Sequence, residues 1–181
     1  MICSQNEIKF YNDFQLTNFN TLKIRSSAKI FYMPDNYGEM MTLFRRNKTK
    51  NPIVIGNGSN VLFSSQGVQE PIIHTGLIKT VLSFNQTLEA EAGIKTQALS
   101  KMAYEKKLSG FEFLIGIPAT LGGAIYMNAG AHGQTISDKL VSAKVYDIEN
   151  NKVREDLGLT YEAEVLRLIN DFSVSPNAKY K

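Results

Sequence analysis

The chain has 181 residues, 43% of them hydrophobic and 20% charged, enough for one compact core or for two small lobes sharing an interface. Its 20 Lys and Arg against 17 Asp and Glu leave a formal net charge of +3, too weak to point to nucleic acid or an anionic membrane surface. A single cysteine, Cys3, excludes an internal disulfide; the two histidines give no metal-ligand spacing, and no window reaches the roughly 18–20 apolar residues of a membrane helix. The start "MICSQNEIKF" lacks the charged-then-apolar layout of a signal peptide, so the expectation is a cytoplasmic protein with no membrane, nucleic-acid or metal partner.

After a short leader, "AKIFYMP" (28–34) reads as a strand stopped by Pro34. "DNYGEMMTLFRRNK" carries Tyr37, Met40, Met41 and Phe44 at helical spacing, with Asp35 or Asn36 as N-cap. Its basic run "RRNKTK" (45–50) suits the C-terminal end of a helix dipole better than a phosphate patch. "PIVIG" predicts a wholly apolar strand of the kind buried on both faces. "PIIHT" (71–75), "TVLSF" (80–84) and "TLEAEAG" (87–93) are three more strands, the last two joined in a hairpin at Asn85-Gln86. "KTQALSKMAYEKKLSG" (95–110) predicts a helix with Ala98, Leu99, Met102 and Ala103 inward, Thr96 as N-cap and Gly110 as the C-cap glycine. "KLVSAKVYDIENNKVRE" reads as a hairpin turning at Asn150-Asn151, and "LTYEAEVLRLIND" as a final helix. These elements give a first lobe over residues 1–70 and a second over 71–181, with a tail, "NDFSVSPNAKYK", that matches no pattern.

Two glycine-rich segments interrupt this order. "GNGSN" (56–60) follows the strand "PIVI"; such a turn can curl its backbone N–H groups toward one point, and glycine lets an anion approach. It is neither the lysine-containing phosphate loop nor the dinucleotide fingerprint, so a phosphate cradle and a plain tight turn both fit it. "GFEFLIGIPATLGGAIYMNAGAHGQ" (110–134) has glycines at 110, 116, 122, 123, 130 and 133, each costing roughly 0.5–1 kcal/mol in regular structure. Either a flat ligand touches this backbone or chain segments cross closely there. His132 in this segment and His74 in an apolar strand read as surface or packing residues.

Together "NT" (20–21), "GNGSNVLF" (56–63) and "GFEFLIGIPATLGGAIYMNAGAHG" (110–133) resemble the UDP-N-acetylenolpyruvoylglucosamine reductases, bacterial flavoenzymes of peptidoglycan-precursor synthesis, over roughly residues 18–148. The resemblance implies an α+β, two-lobed FAD-binding fold of the vanillyl-alcohol oxidase or PCMH type, with non-covalent FAD between the lobes and NADPH as hydride donor. It implies that Gly56, Asn57, Gly58, Ser59 and Asn60 hold the FAD pyrophosphate. It also implies that Gly116, Ile117, Pro118, Gly122, Gly123, Asn128 and Gly130 line the flavin side, mainly through backbone.

The sequence departs from that family in three places. Arg25, Ser26 and Ser27 stand where paired glycines are usual, and His132 where a tyrosine is common. The family's reaction further uses an arginine in a Tyr-Arg motif, a serine proton donor and a late glutamate; here Tyr161 is followed by Glu162, Arg167 fits only in a shifted register, and the chain stops at Lys181. An acid in place of that cation would repel developing enolate charge. The expectation is an FAD-binding protein lacking the family's C-terminal substrate domain, inactive or weakly active alone. Its partners would be FAD and either a UDP-sugar substrate or a chain supplying the missing domain. The alternative is a module that binds FAD or a partner and has lost reductase chemistry.

Overall fold

The computed structural model describes residues 8–47, 51–147, 152–157 and 172–180. Four strands build the first sheet: β1 (Phe10–Gln15), β2 (Ser27–Tyr32), β3 (Ile53–Ile55) and β4 (Ile72–His74), in the order β1-β2-β4-β3. β1 pairs antiparallel with β2, whereas β2 and β3 both run parallel to β4. β4 lies beyond residue 70 yet is hydrogen-bonded inside this first sheet. α1 (Tyr37–Asn47) provides the crossover from β2 to β3.

The second sheet is antiparallel, in the order β10-β9-β11-β6-β5, from β5 (Val81–Phe84), β6 (Thr87–Ala90), β9 (Leu140–Asp147), β10 (Lys152–Leu157) and β11 (Phe172–Tyr180). α2 (Thr96–Glu105), α3 (Leu121–Tyr126) and the short hairpin of β7 (Gly130–Ala131) with β8 (Gln134–Thr135) come between β6 and β9.

Local chemistry accounts for these elements. Asn36 caps α1 by accepting from the Glu39 N–H at 3.0 Å, and the Glu39 carboxylate accepts in return from the Asp35 N–H at 3.1 Å. Met40, Met41, Leu43 and Phe44 are buried, and Arg45 and Arg46 occupy the last turn, where the dipole favours cations. The β5–β6 hairpin turns at Asn85-Gln86 as expected, with Phe84 opposite Thr87 and Asn85 in the left-handed region at φ 51°.

Several expectations are corrected. α2 ends at Glu105, not near Gly110, and Lys107 takes the left-handed turn at φ 58°. Its N-cap is Lys95; the Thr96 side chain instead reaches carbonyls of the second glycine segment. β3 is not buried on both faces: it is an edge strand, and Ile53 stays 37% exposed. The leader contains β1, and the tail contains β11, inserted between β9 and β6. Register shifts between Val174 and Ala178, a stretch holding Pro176, which has no N–H to give to the ladder. β9 and β10 form the expected hairpin, whereas its turn at Asn150-Asn151 and the final helix with Glu162 and Arg167 lie outside the described residues.

Apolar packing fixes how the sheets meet. Leu16, Ala28, Phe31, Ile55, Phe63, Val68 and Ile72 form the core of the first lobe, and α2, α3 and β6 enclose another around Leu99, Phe111 and Leu121. The seam joins α1 to the second sheet: Met40, Leu43, Phe44, Ile73 and Ile78 pack with Tyr146 of β9, whose ring centroid lies 5.4 Å from that of Phe44. Phe31 is fully buried, stacked on Phe14 at 4.4 Å and edge-on to Phe19 at 4.9 Å. Phe31→Ala removes this hub and is expected to cost about 3–5 kcal/mol, read as a lower urea midpoint with the m-value retained.

Candidate functional site

A cleft of about 990 Å³ opens between the two lobes. β3 and the turn after it form one wall, and the segment from Ile117 into α3 forms the other, with Thr75 and Ala92 also lining it. The volume lies at the upper end of the range for small-molecule sites. All of Gly56, Asn57, Gly58, Ser59 and Asn60 line it, as do Ile117, Pro118, Gly122 and Gly123 across from them. The fold therefore brings both glycine segments to one space.

The 56–60 turn has an unusual backbone. Among the described residues, none of its five N–H groups donates to a protein acceptor. Ser59 likewise makes no side-chain hydrogen bond there. Successive amides without internal acceptors are the raw material of an anion cradle. The turn is nevertheless held from every side. The Gly58 carbonyl accepts from Thr21 N at 3.1 Å. Asn57 Nδ2 donates to the Pro118 carbonyl at 2.8 Å, and Asn60 Nδ2 lies 3.3 Å from Met127 Sδ, so both asparagines tie this wall to the other.

The Asn20-Thr21 pair is the brace beneath. Asn20 is buried, donates to the Leu16 and Ile24 carbonyls at 2.9 and 3.0 Å, and accepts from Ile24 N at 3.0 Å. This closes the loop that presents Thr21 to Gly58. Ser26, within the Arg25–Ser27 stretch that departs from the resembled family, is buried and donates to the Ser64 carbonyl at 2.7 Å.

Glycine is required here by protein crossing protein. Gly58 has φ +65°, and a Cβ on it would strike the Phe19 carbonyl oxygen; one on Gly56 would strike Thr120 Oγ1. At Gly122 the neighbour is Ala92 Cβ at 2.9 Å, and at Gly130 the Gln134 carbonyl at 2.6 Å. At these four positions the close crossing of chain segments accounts for the glycine, and Gly56, Gly58 and Gly122 line the cleft.

Gly116, Asn128 and Gly130 do not line the cleft. Asn128, at φ 44°, follows α3, and its Oδ1 accepts from Ser137 N at 3.2 Å, folding the loop behind the wall. Gly130 pairs with Thr135 in the short hairpin, and a Cβ at Gly116 would meet open space. The start of α3 is not a free donor set either: Leu121 N and Gly122 N donate to the Ile94 and Ala92 carbonyls at 2.8 Å each. Thr75, Ala92, Thr120, Tyr126 and Met127 line the cleft without having been singled out from the sequence. Thr120, Tyr126 and Met127 lay inside the quoted segment; Thr75 and Ala92 follow β4 and β6 and carried no signal.

The two histidines have separate fates. His132 is exposed at the tip of the β7–β8 hairpin, in the left-handed region at φ 55°. His74 sits behind the cradle, edge-on to Phe19 with centroids 5.0 Å apart and stacked on Phe31 at 5.8 Å. Its Nδ1 is buried with no partner. Burial lowers its pKa from 6.5 to about 4, against the opposing effect of a hydrogen bond with the Gly56 backbone.

His74 is therefore neutral in the folded chain at pH 7, while the unfolded chain takes up its proton as pH falls through 6.5. Stability is full above that value and is lost between pH 6.5 and about 4, by on the order of 3 kcal/mol from this group. Urea unfolding of the wild type and His74→Leu at pH 7 and 4.5 checks this: the variant should lose less stability on acidification, and an equal loss in both would contradict it.

The family model described as an FAD binding domain matches residues 28–155. The UDP-N-acetylenolpyruvoylglucosamine reductase of Caldicellulosiruptor bescii is 36% identical over 172 residues, covering 92% of this chain and 55% of that protein. The reductase of the same name from Lactococcus lactis subsp. cremoris strain MG1363 is 38% identical over 138 residues, covering 75% of this chain and 46% of its own length. The chain thus spans about half the length of the curated relatives it matches.

Among solved structures, UDP-N-acetylenolpyruvylglucosamine reductase from Thermus caldophilus superposes with a TM-score of 0.70 at 24% identity, covering 96% of this chain and 60% of that one. An alkyldihydroxyacetonephosphate synthase superposes with a TM-score of 0.64 at 20% identity, covering 88% and 32%. At these identities the likeness is one of fold, and the fold is the two-lobed α+β arrangement of PCMH-type FAD-binding domains expected from the sequence.

Proposed function

The chain belongs to the FAD binding domain family, and we propose that it holds FAD non-covalently along the inter-lobe cleft, with the pyrophosphate against the amides of Gly56–Asn60. The observation that carries this reading is the run of five backbone N–H groups, without acceptors among the described residues, on the wall of a cleft of about 990 Å³. Ser59 adds a hydroxyl donor, and the apolar surface of Ile117, Pro118 and Ala119 suits a flat ring opposite. The Gly58 carbonyl is engaged by Thr21 and the Gly56 backbone is hydrogen-bonded to His74, whereas the amides keep no protein acceptor among the described residues, which suits an anion.

FAD, when bound, supplies two-electron redox chemistry that no side chain here can supply. The chain's own part is to place the cofactor, exclude water along the apolar wall and leave one face open for a second molecule. The relatives are named as reductases of UDP-N-acetylenolpyruvoylglucosamine, and the proposed context is reduction of that enolpyruvyl sugar nucleotide in the cytoplasm, with NADPH as the hydride donor that the sequence resemblance implies. A second reading, an FAD-binding module without reductase chemistry, is favoured by Glu162 after Tyr161, where the family's reaction calls for arginine. NADPH bleaching of the loaded chain, followed by reoxidation on adding the enolpyruvyl sugar nucleotide, would support the first; bleaching without reoxidation would support the second.

Substitutions in the cradle test the cofactor's place. Gly58→Val puts a branched side chain against Phe19 at a positive φ and is expected to abolish FAD retention. Ser59→Ala removes one donor and should weaken binding by about 1 kcal/mol, roughly fivefold, in a fluorescence titration. A folded Gly58→Val chain that keeps FAD at wild-type affinity would remove this turn from the site.

A further inference from the structure

We propose that Thr96 and Gln97, at the start of α2 and outside both glycine segments, are positioning residues that strip the Ile117–Ala119 wall of free carbonyl oxygen. The proposal rests on the FAD reading of the cleft. Three successive peptide carbonyls are captured in this wall. That of Ile117 accepts from Thr96 Oγ1, from Gln97 Nε2 at 2.7 Å and from Ala119 N at 3.0 Å. That of Ala119 accepts from Thr96 N at 3.1 Å, with Thr96 Oγ1 also 3.1 Å away. The Pro118 carbonyl between them accepts from Asn57 at 2.8 Å.

Thr96 has no exposed surface, and neither it nor Gln97 lines the cleft. Their bonds therefore draw the Ile117 and Ala119 oxygens to the back of the wall. Pro118 has no N–H, so its peptide with Ile117 offers the cleft neither a donor nor, with the oxygen withdrawn, an acceptor. What remains on the cleft face is apolar surface.

The electrostatic consequence depends on what lies against the wall. A carbonyl oxygen turned toward an electron-rich ligand repels it, and in a site shielded from water the repulsion is amplified. It also grows with the ligand's electron density. Withdrawing the Ile117 oxygen thus favours the reduced form of FAD over the oxidised form. The Thr96 hydroxyl has one proton for two acceptors, so Gln97 is the side-chain donor whose removal most weakens the hold on the Ile117 oxygen, with Ala119 N still bonded to it.

The test compares wild type, Gln97→Met and Thr96→Ser. Gln97→Met keeps length and drops the donor, on a half-buried side chain where folding is least at risk. Without any cofactor, the carbonyl 13C signal of Ile117 should move upfield in Gln97→Met and stay in place in Thr96→Ser. With FAD, Gln97→Met should hold reduced relative to oxidised cofactor about tenfold less well, a fall in midpoint potential of about 30 mV for a two-electron couple, while Thr96→Ser stays at the wild-type potential. A moved carbonyl signal with an unchanged potential would overturn the proposal and leave the FAD site standing. An unmoved carbonyl signal would overturn it as well, since the bond would then not be what holds the wall. A wild-type chain that takes up no FAD at all would remove the proposed function, and this role with it.

Discussion

Backbone N–H groups in a folded protein almost always find an acceptor, and a run of them without one must face water or a ligand. The turn at Gly56–Asn60 holds five such groups against the inter-lobe cleft, among the described residues. The turn is held beside the cleft by contacts made through its other atoms. The Gly58 carbonyl takes the Thr21 amide, the Asn57 side chain takes the Pro118 carbonyl, and the Asn20 amide locks the loop that carries Thr21. The turn is anchored through the Gly58 carbonyl and the Asn57 and Asn60 side chains, while its amides have no protein acceptor among the described residues.

The same economy explains the opposite wall. Carbonyls from Ile117 to Ala119 are captured by Thr96, Gln97 and Asn57, and the first amides of α3 by Ile94 and Ala92. One wall therefore presents donors and the other mostly apolar surface. Behind both, the seam of α1 against Tyr146 of β9 holds the lobes at the spacing that leaves the cleft open.

Much of this was legible in the residues. α1, the β5–β6 hairpin and the β9–β10 pairing follow from helical spacing, a cap at Asn36 and a two-residue turn at Asn85-Gln86. The two glycine segments stood out in the sequence, and residues of both line one cleft. Other features depended on tertiary contacts that no local pattern carries. Thr96 looks like an N-cap because it precedes an apolar helix face, yet its hydroxyl is drawn to carbonyls more than 20 residues away. "PIVI" reads as doubly buried, but its place at the sheet edge, beside the cleft, leaves Ile53 partly exposed. β11 was hidden by Pro176, which argues against a central strand until the shift in register around it is seen. Asn128 and Gly130 stood inside a motif and so read as ligand contacts, whereas they fold the loop behind the wall.

The central claim is that the amides of residues 56–60 receive an anion. The most direct measurement is a titration of the 15N-labelled chain with FAD, following backbone amide resonances. The account predicts that the amides of Gly56–Asn60 move most, downfield in the proton dimension, as each gains a charged acceptor. Saturable FAD binding that leaves these amides unmoved and shifts residues away from the cleft would contradict it.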